Sequence, residues 1–171
     1  GNAELAVVNA ENIIHVPDHF SLREAAAFPL TYLTAWHMLV ERCKIQPGDK
    51  VLIHAAGSGV SVAATQIAKL HGADVMVTAG SDSKCAKGMV NGADLAVNYS
   101  TDDWQAAAKQ FTFKQGLDII VDHVGADTLP LGVWALAKGG RLVTCGVTSG
   151  AQMEMNFAPI FFKSLSILGS T

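Results

Sequence analysis

From residue 49 onward, short runs of apolar and β-branched residues alternate with longer alanine-rich segments. The runs predict strands over residues 50–54, 74–78, 95–98, 118–122, 141–145 and 165–168, and the segments predict helices over residues 60–70, 82–90 and 102–111. The first five runs are apolar nearly throughout, so helices must cover both faces of the sheet. The pattern therefore predicts an α/β fold with a doubly wound, parallel, six-stranded sheet of the Rossmann type in three α/β/α layers.

The chain before residue 49 has a different pattern. Residues 4–8 and 12–16 resemble two short strands. Ser21 and Glu24 have the spacing of a capping box that opens a helix, and Pro29 is predicted to separate this helix from a second one over residues 31–42. At its other end the chain stops at residues 169–171, directly after the last predicted strand, and we expect it to be an excised fragment.

The first predicted strand leads into a loop of small residues, 55–61, at the start of a predicted helix. Free backbone N–H groups and the positive end of the helix dipole suit a pyrophosphate at such a point. The loop departs from the G-x-G-x-x-G pattern of dinucleotide sites, because Ala56, Ser58 and Ser61 stand at the three glycine positions. Small side chains still allow close approach of the backbone, and the serine hydroxyls offer further donors. Taken alone, the loop fits a phosphate site and an ordinary turn equally well.

The end of the second predicted strand bears on which dinucleotide would bind. NAD sites place a carboxylate there to hold the adenosine ribose, whereas this chain has Ala79 followed by Ser81 and Lys84. A hydroxyl and a cation at this point favour NADP(H) over NAD(H). The competing interpretation is that Ser81 and Asp82 cap a helix and Lys84 is a solvated charge, and Asp82 could still reach a ribose. Tyr99, after the third strand, either lies over the adenine or the phosphate or is a half-buried aromatic residue.

Composition argues against several other classes of function. The chain has 171 residues, 50% of them hydrophobic, which suits one compact domain. A net charge of -3 without a basic run argues against nucleic acid and anionic membranes as partners. The most apolar stretch, residues 25–40, is too short and too polar to span a bilayer, and the start of the chain does not resemble a signal peptide. We therefore expect a cytoplasmic protein that acts on a small-molecule substrate.

Cysteine and histidine positions indicate no further chemistry. Cys43, Cys85 and Cys145 are far apart and form neither a C-x-x-C pair nor a close Cys/His pair, so neither a disulfide framework nor a zinc site is predicted. Lone histidines near the ends of helices and strands are more often structural, and they stand at positions 37, 54, 71 and 123. Only the pair Asp122 and His123 lies close to the expected cleft. We predict no catalytic residue and no metal ligand in this chain.

Four stretches of sequence carry a family resemblance: residues 29–36 (PLTYLTAW), 47–60 (PGDKVLIHAAGSGV), 139–143 (GGRLV) and 168–170 (LGS). In this order they resemble the zinc-type alcohol dehydrogenases and quinone oxidoreductases of the medium-chain dehydrogenase/reductase superfamily, over essentially the whole chain. The resemblance implies that residues 21–171 are the dinucleotide-binding domain. It also implies that residues 1–20 are the tail of a missing GroES-like catalytic domain, which carries any zinc that the parent protein binds.

The same resemblance implies cofactor contacts beyond the carboxyl ends of the strands and, at Thr34, on the predicted helix over residues 31–42. Thr34, Gly169 and Ser170 would lie at the nicotinamide end, and Gly59 and Val60 at the pyrophosphate. Together with the loop and the end of the second strand, the predicted cofactor-binding residues are Thr34, Ser58, Gly59, Val60, Ser81, Lys84, Tyr99, Val124, Gly125, Gly146, Val147, Thr148, Gly169 and Ser170. One departure from the family pattern is Ser61, where many relatives have glycine.

The implied reaction is hydride transfer between the nicotinamide and an alcohol, a carbonyl, or a quinone or enone. The resemblance implies an enzyme of the alcohol dehydrogenase or quinone reductase type, and the residues after the second strand make NADP(H) its expected cofactor. We expect the isolated fragment to be inactive, and a homodimer is an open alternative to a monomer. A second hypothesis is a sensor or interaction module that binds NADP(H) without turnover; activity and zinc content of the full-length parent separate the two.

Two other classes of enzyme use a related sheet. A methyltransferase that binds S-adenosylmethionine expects an acidic residue where Ala79 stands. A short-chain dehydrogenase needs Tyr-x-x-x-Lys, and neither Tyr32 nor Tyr99 has a lysine at that spacing. The sequence therefore favours a medium-chain dehydrogenase/reductase over a methyltransferase and over a short-chain dehydrogenase.

Overall fold

The computed structural model describes residues 3–171, and the chain divides into two compact units, Gly1–Leu30 and Thr31–Thr171. In the first unit a 3₁₀ helix forms at Ala10–Asn12, and the described residues before and after it form no strand. The predicted strands over residues 4–8 and 12–16 are therefore wrong. Side chains such as Leu5 and Ile14 are almost fully exposed there, and an extended segment becomes a β-strand only when it pairs with a neighbouring strand.

The first long helix, α1, spans Leu22–Trp36 and begins with the predicted capping box. The Ser21 amide donates to a Glu24 carboxylate oxygen at 2.9 Å, and the Glu24 amide donates to Ser21 Oγ at 3.2 Å. The predicted break at Pro29 is wrong, because Pro29 lies inside α1 and a π-helical segment, His37–Arg42, follows directly. Proline removes one amide donor and crowds the preceding turn, which a helix can absorb by bending.

Strands and helices alternate through the second unit. The strands are β1 Lys50–Ile53, β2 Asp74–Ala79, β3 Leu95–Asn98, β4 Leu117–Asp122, β5 Leu136–Thr144 and β6 Ser166–Gly169. The helices are α2 Gly59–Leu70, α3 Asp82–Val90, α4 Trp104–Phe111, α5 Leu129–Ala135 and α6 Ala158–Phe162. Every strand predicted within this unit is present, although β5 begins at Leu136 rather than at residue 141. The short helices α5 and α6 had no counterpart in the sequence pattern.

All strands run parallel in the order β3-β2-β1-β4-β5-β6, which confirms the predicted doubly wound sheet. Val51 of β1 is level with Val75 of β2 on one side and with Ile119 of β4 on the other. The carboxyl ends of the strands therefore lie at one edge of the sheet, and the strand order reverses between β1 and β4. Open α/β sheets bind ligands at that edge, at the point of reversal.

The two faces of the sheet belong to two buried clusters. Ile53 packs in one cluster with Ala64 of α2 and with residues of the π-helical segment. Leu52, which points to the opposite face, packs in the other with Trp104 at the start of α4 and Val133 of α5. Burial of both faces is the physical reason for the nearly continuous apolar runs. No helix formed by residues 3–171 is long and apolar enough to cross a membrane.

Candidate functional site

The loop after β1 lies at the point where the strand order reverses. Ala55 adopts a left-handed conformation with φ 58°, and the Ala56 amide donates to the carbonyl of Thr78 in β2 at 2.8 Å. Helix α2 then begins at Gly59, with Ser58 at its N-cap. Among residues 3–171, no acceptor binds the amides of Gly59 and Val60. Unpaired amides at a helix N-terminus create a local positive potential that suits an anion.

Gly59 lies in a closely confined position. A Cβ at this position would lie 3.0 Å from Cγ2 of Thr31 in α1, which is tighter than ordinary van der Waals contact. Ala63, Ala64 and Ala68 of α2 are fully buried against the sheet. The small residues of this turn and of α2 therefore let the backbone approach α1 on one side and the sheet on the other.

Ser61 shows how the chain departs from the glycine pattern. The residue is fully buried, and its hydroxyl donates to the carbonyl of His54 at 2.7 Å. The expectation that the loop serines all offer donors to a phosphate is therefore wrong at Ser61, because its hydroxyl is already committed inside the protein. The hydrogen bond satisfies the hydroxyl in the interior, where a serine side chain stands in place of the glycine of the pattern.

A cavity of about 130 Å³ separates this loop from the end of β2. It is lined by Ala55, Gly57, Ser58, Ala79, Gly80, Lys84 and Tyr99. The side chain of Lys84 lies beside the loop, since a Cβ on Gly57 would be 3.6 Å from its Cδ. The hydroxyl of Tyr99 lies against Gly80, where a Cβ would be 2.8 Å away. The structure thus brings together Ser58, Lys84 and Tyr99, three residues that the sequence analysis selected separately.

Ser81 and Asp82 stand at the start of α3, beside this cavity in sequence but outside its lining. Ser81 is the N-cap residue, and its Oγ lies 3.2 Å from Ser83 Oγ. Asp82 accepts a hydrogen bond from the Asn98 side-chain amide at 2.8 Å. Asp82 is the only acidic residue among residues 79–84, at the end of β2. One of its carboxylate oxygens is therefore held by a residue of β3.

A second cavity, of about 310 Å³, extends from the loop toward β4. It is lined by His54, Ala55, Thr78, Tyr99, Trp104, Val124, Asp127 and Thr128. Ala55 and Tyr99 line both cavities, so the two spaces adjoin. Together they run along the carboxyl edge on both sides of β1.

The turn after β4 carries Val124 and Gly125. Asp122, which is fully buried, accepts hydrogen bonds from the amides of Val124 and Gly125 at 2.7 and 3.0 Å through Oδ1. Gly125 has φ +98°, and a Cβ there would lie 2.6 Å from the carbonyl oxygen of Gly150. Only glycine fits this position.

The predicted residues after β5 pack on that turn. Thr148 donates from its amide and its hydroxyl to the carbonyl of His123, both at 3.2 Å. A Cβ on Gly146 would lie 3.5 Å from His123, and Val147 is 42% exposed. Gly146, Val147 and Thr148 therefore lie at the carboxyl edge of the sheet, beside the turn that follows β4.

The end of β6 is tied to the helix that precedes β1. Gly169 ends the strand, and the Ser170 amide donates to the carbonyl of Thr144 at 2.9 Å. Ser170 Oγ lies 2.7 Å from Nδ1 of His37, which is half-buried in the π-helical segment. Thr34 stands one turn before His37 in α1.

Several residues at this edge were not selected from the sequence. His37 was interpreted as structural, yet it contacts the predicted residue Ser170. His54, Trp104, Asp127 and Thr128 line the larger cavity. The signal that could have found His54 is its position at the end of the first strand, where most of the neighbouring positions are apolar or small.

Burial governs the titrating groups near the site. It lowers the pKa of His54 to about 4, against the opposing effect of Asp122, and it lowers the pKa of His123. Burial also raises the pKa of the Cys145 thiol at the end of β5, which disfavours a thiolate nucleophile. Among residues 3–171, no group of three or more His, Cys, Asp or Glu side chains is placed to hold a metal ion. The described residues therefore do not fit a zinc site.

A doubly wound sheet with unpaired helix amides and adjoining cavities at its carboxyl edge is the arrangement of a dinucleotide-binding domain. The family model for zinc-binding dehydrogenases matches residues 59–171, which is more than half of the chain. The chain therefore belongs to this family, and it has the fold of the cofactor-binding domain of the medium-chain dehydrogenase/reductase superfamily. The family resemblance that the sequence motifs indicated is confirmed.

Individual relatives agree with this assignment. Quinone oxidoreductase-like protein 2 from Bos taurus is 34% identical over 99% of this chain and 49% of its own length. The crystal structure of an NAD-dependent alcohol dehydrogenase is 50% identical and superposes with a TM-score of 0.86, over 91% of this chain and 45% of that one. The quinone oxidoreductase from Thermus thermophilus, solved also in complex with NADPH, is 31% identical with a TM-score of 0.80, over 91% of this chain and 49% of that one. The chain thus spans about half the length of the relatives it matches.

Proposed function

We propose that this chain is the NADP(H)-binding domain of an oxidoreductase that transfers hydride between the nicotinamide and an alcohol, a carbonyl, or a quinone or enone. One observation carries the proposal. The unpaired amides at the start of α2 adjoin a small cavity lined by Lys84, Ser58 and Tyr99 at the end of β2. That arrangement provides for a pyrophosphate and, a short distance away, for one more phosphate.

Each part of the dinucleotide has a set of residues that suits it. The amides of Gly59 and Val60 would hold the pyrophosphate. The ammonium of Lys84, with the hydroxyls of Ser58 and Tyr99, would hold a phosphate on the adenosine ribose. The other half of the molecule would cross the turns after β4, β5 and β6, so that Ser170 and Thr34 lie at the nicotinamide end.

The chain orients the cofactor, and the chemistry is the cofactor's own. When bound, the nicotinamide gives or takes a hydride. The side chains and turns at the carboxyl edge would fix its position. We assign no general acid or base to this chain.

Three features support NADP(H) over NAD(H). Ala79 ends β2 without a carboxylate. Asp82 is turned toward Asn98, which occupies one of its oxygens. The ammonium of Lys84 has no acceptor among residues 3–171 and is available to a phosphate. NAD(H) is the competing cofactor, because it is the one named for the alcohol dehydrogenase that is 50% identical to this chain.

Titration calorimetry with NADPH and NADH tests the preference. We expect Lys84→Ala to weaken NADPH binding about tenfold or more, because a hydrogen bond from a charged group to a phosphate contributes about 1.5–3 kcal/mol. NADH binding should change by less than about twofold. Lys87→Ala removes the same charge from the same helix and serves as the matched control, with both affinities unchanged.

Two outcomes would contradict the proposal at different levels. Equal losses for both cofactors in Lys84→Ala, or tighter binding of NADH by the unchanged chain, would replace NADP(H) by NAD(H). Failure of the unchanged chain to bind either dinucleotide would remove the cofactor-binding function itself.

A further inference from the structure

Three buried polar side chains meet where β1, β2 and β4 end. His54, Thr78 and Asp122 are each at most 2% exposed. Nδ1 of His54 lies 2.8 Å from Thr78 Oγ1, and Nε2 lies 4.0 Å from Asp122 Oδ2. The imidazole also packs edge-on against the Trp104 ring, with ring centroids 5.1 Å apart.

This arrangement leaves polar atoms unsatisfied. Neither Nε2 of His54 nor Oδ2 of Asp122 has a hydrogen-bond partner among residues 3–171. Most buried polar atoms do have partners, and an unpaired one costs about 1–3 kcal/mol. An apolar side chain at position 54 could pack against Trp104 without placing an unpaired nitrogen in the interior, so packing alone does not explain the histidine.

The neighbours of the imidazole determine which nitrogen carries its proton. Burial keeps His54 neutral at neutral pH, and a neutral imidazole has one N–H. The carboxylate of Asp122 favours the tautomer whose N–H is on Nε2, since that N–H dipole points toward the negative charge. Nδ1 then accepts a hydrogen bond from the hydroxyl of Thr78. Each donor thus points to the next residue across the three strand ends: the hydroxyl of Thr78 toward His54, and the Nε2–H of His54 toward Asp122.

Asp122 connects His54 to the turn after β4, which forms part of the wall of the larger cavity. Its other oxygen, Oδ1, accepts from the amides of Val124 and Gly125, and Val124 lines the cavity of about 310 Å³ together with His54. The direction in which the carboxylate faces therefore sets the position of the turn. His54 is the residue that faces the free side of that carboxylate.

We propose that His54 is a positioning residue for dinucleotide binding, which holds the Asp122 carboxylate, and through it the turn of Val124 and Gly125, in the binding geometry. The inference rests on the proposed function, because it assigns the turn to the cofactor site. The turn lies on the other side of β1 from the cavity that Lys84 lines. His54 should therefore affect NADPH and NADH to the same extent.

Two substitutions at one position separate the two sides of the imidazole. In His54→Gln the side-chain amide can reach the position of Nε2 and still donate toward Asp122. In His54→Asn it reaches only the position of Nδ1 and keeps the contact with Thr78. We expect His54→Gln to bind both dinucleotides within about twofold of the unchanged chain. We expect His54→Asn to bind both about tenfold more weakly, because the buried oxygen of Asp122 then no longer faces an N–H dipole.

NMR of the ligand-free chain gives a readout that does not depend on affinity. The ¹⁵N shifts of the His54 ring should show the proton on Nε2, and Asp122→Asn, which removes the charge that favours this tautomer, should move it toward Nδ1. The amide resonances of Val124 and Gly125 should shift in His54→Asn and stay close to their original positions in His54→Gln. Because the tautomer is measured on the unchanged chain, the test holds even if a variant folds poorly.

The outcomes that overturn the inference differ from those that overturn the proposed function. Equal dinucleotide affinities in the two His54 variants, or a proton on Nδ1 in the unchanged chain, would show that His54 does not position Asp122, and would leave cofactor binding standing. Absence of dinucleotide binding by the unchanged chain would instead overturn both.

Discussion

At the scale of single residues, the hydroxyl of Ser61 illustrates how a polar atom can serve the fold at a position that suggests a ligand contact. It stands in the first turn of α2, directly after the loop that follows β1, yet it donates to the carbonyl of His54 and is fully buried. Sequence position alone cannot separate these roles, because the direction of a serine side chain is set by the packing around it.

Ser61→Ala should therefore reduce stability and leave cofactor affinity unchanged. Loss of one buried hydrogen bond is expected to cost about 1 kcal/mol of the free energy of unfolding, measured by urea denaturation. Ser83→Ala, which changes an exposed serine in α3, is the control and should cost close to nothing. If Ser61→Ala kept its stability but lost affinity for both dinucleotides, the hydroxyl would be a phosphate donor after all.

At the scale of elements, the turn after β4 combines two requirements that sequence reveals only in part. Gly125 has a positive φ, which a sequence pattern can suggest, and it also lies against Gly150, which a pattern cannot. Gly48 provides a natural comparison, because it has φ +86° with nothing within 4 Å of an added Cβ. The two glycines share the backbone conformation and differ in the space around them.

We expect Gly48→Ala to lower the free energy of unfolding by about 1 kcal/mol, the cost of a left-handed alanine. Gly125→Ala should lower it by about 3 kcal/mol, because the backbone of the turn must also move away from Gly150. It should weaken dinucleotide binding as well, whereas Gly48→Ala should not. Similar losses of stability in the two variants would mean that the contact with Gly150 is not restrictive.

The elements themselves were largely predictable. Strands buried on both faces produce continuous apolar runs, and β1 to β4 were found from these runs to within one residue at each end. The run of β6 was found to the same accuracy, although most of its residues are exposed. Helix α5 was missed because it has only seven residues and includes Pro130 and Gly132. The start of β5 was missed because Gly139 and Gly140 resemble a turn, whereas the strand passes through them and pairs Leu136 with Leu117 across an irregularity in the register.

At the scale of the whole molecule, topology determined how much of the site could be predicted. Parallel strands bring their carboxyl ends to one edge, so residues that follow different strands, such as Lys84 and Ser58, could be placed together from the sequence. Contacts that depend on side-chain direction could not. The pairing of His37 with Ser170 joins positions 133 residues apart, and the meeting of His54 with Asp122 depends on which face of β1 carries the imidazole.

The burial of His54 also affects the stability of the whole domain. The folded state holds the pKa of His54 at about 4, below its ordinary value of 6.5, so between these values the unfolded chain binds more protons. Stability should therefore be lost as the pH falls from 6.5 to 4, by about 3 kcal/mol. Thermal and urea unfolding across this range measure the loss, and His54→Gln, which does not titrate, should make the dependence on pH clearly shallower. An unchanged dependence in the variant would assign the effect to other groups.

The position of Trp104 gives the domain an optical signal of its own. Its side chain is 8% exposed, and it lines the larger of the two cavities. A ligand that fills this space would change the polarity next to one indole while leaving Trp36 and Trp134 in their own surroundings. Tryptophan emission of the unlabelled protein should thus follow occupancy of the edge in real time.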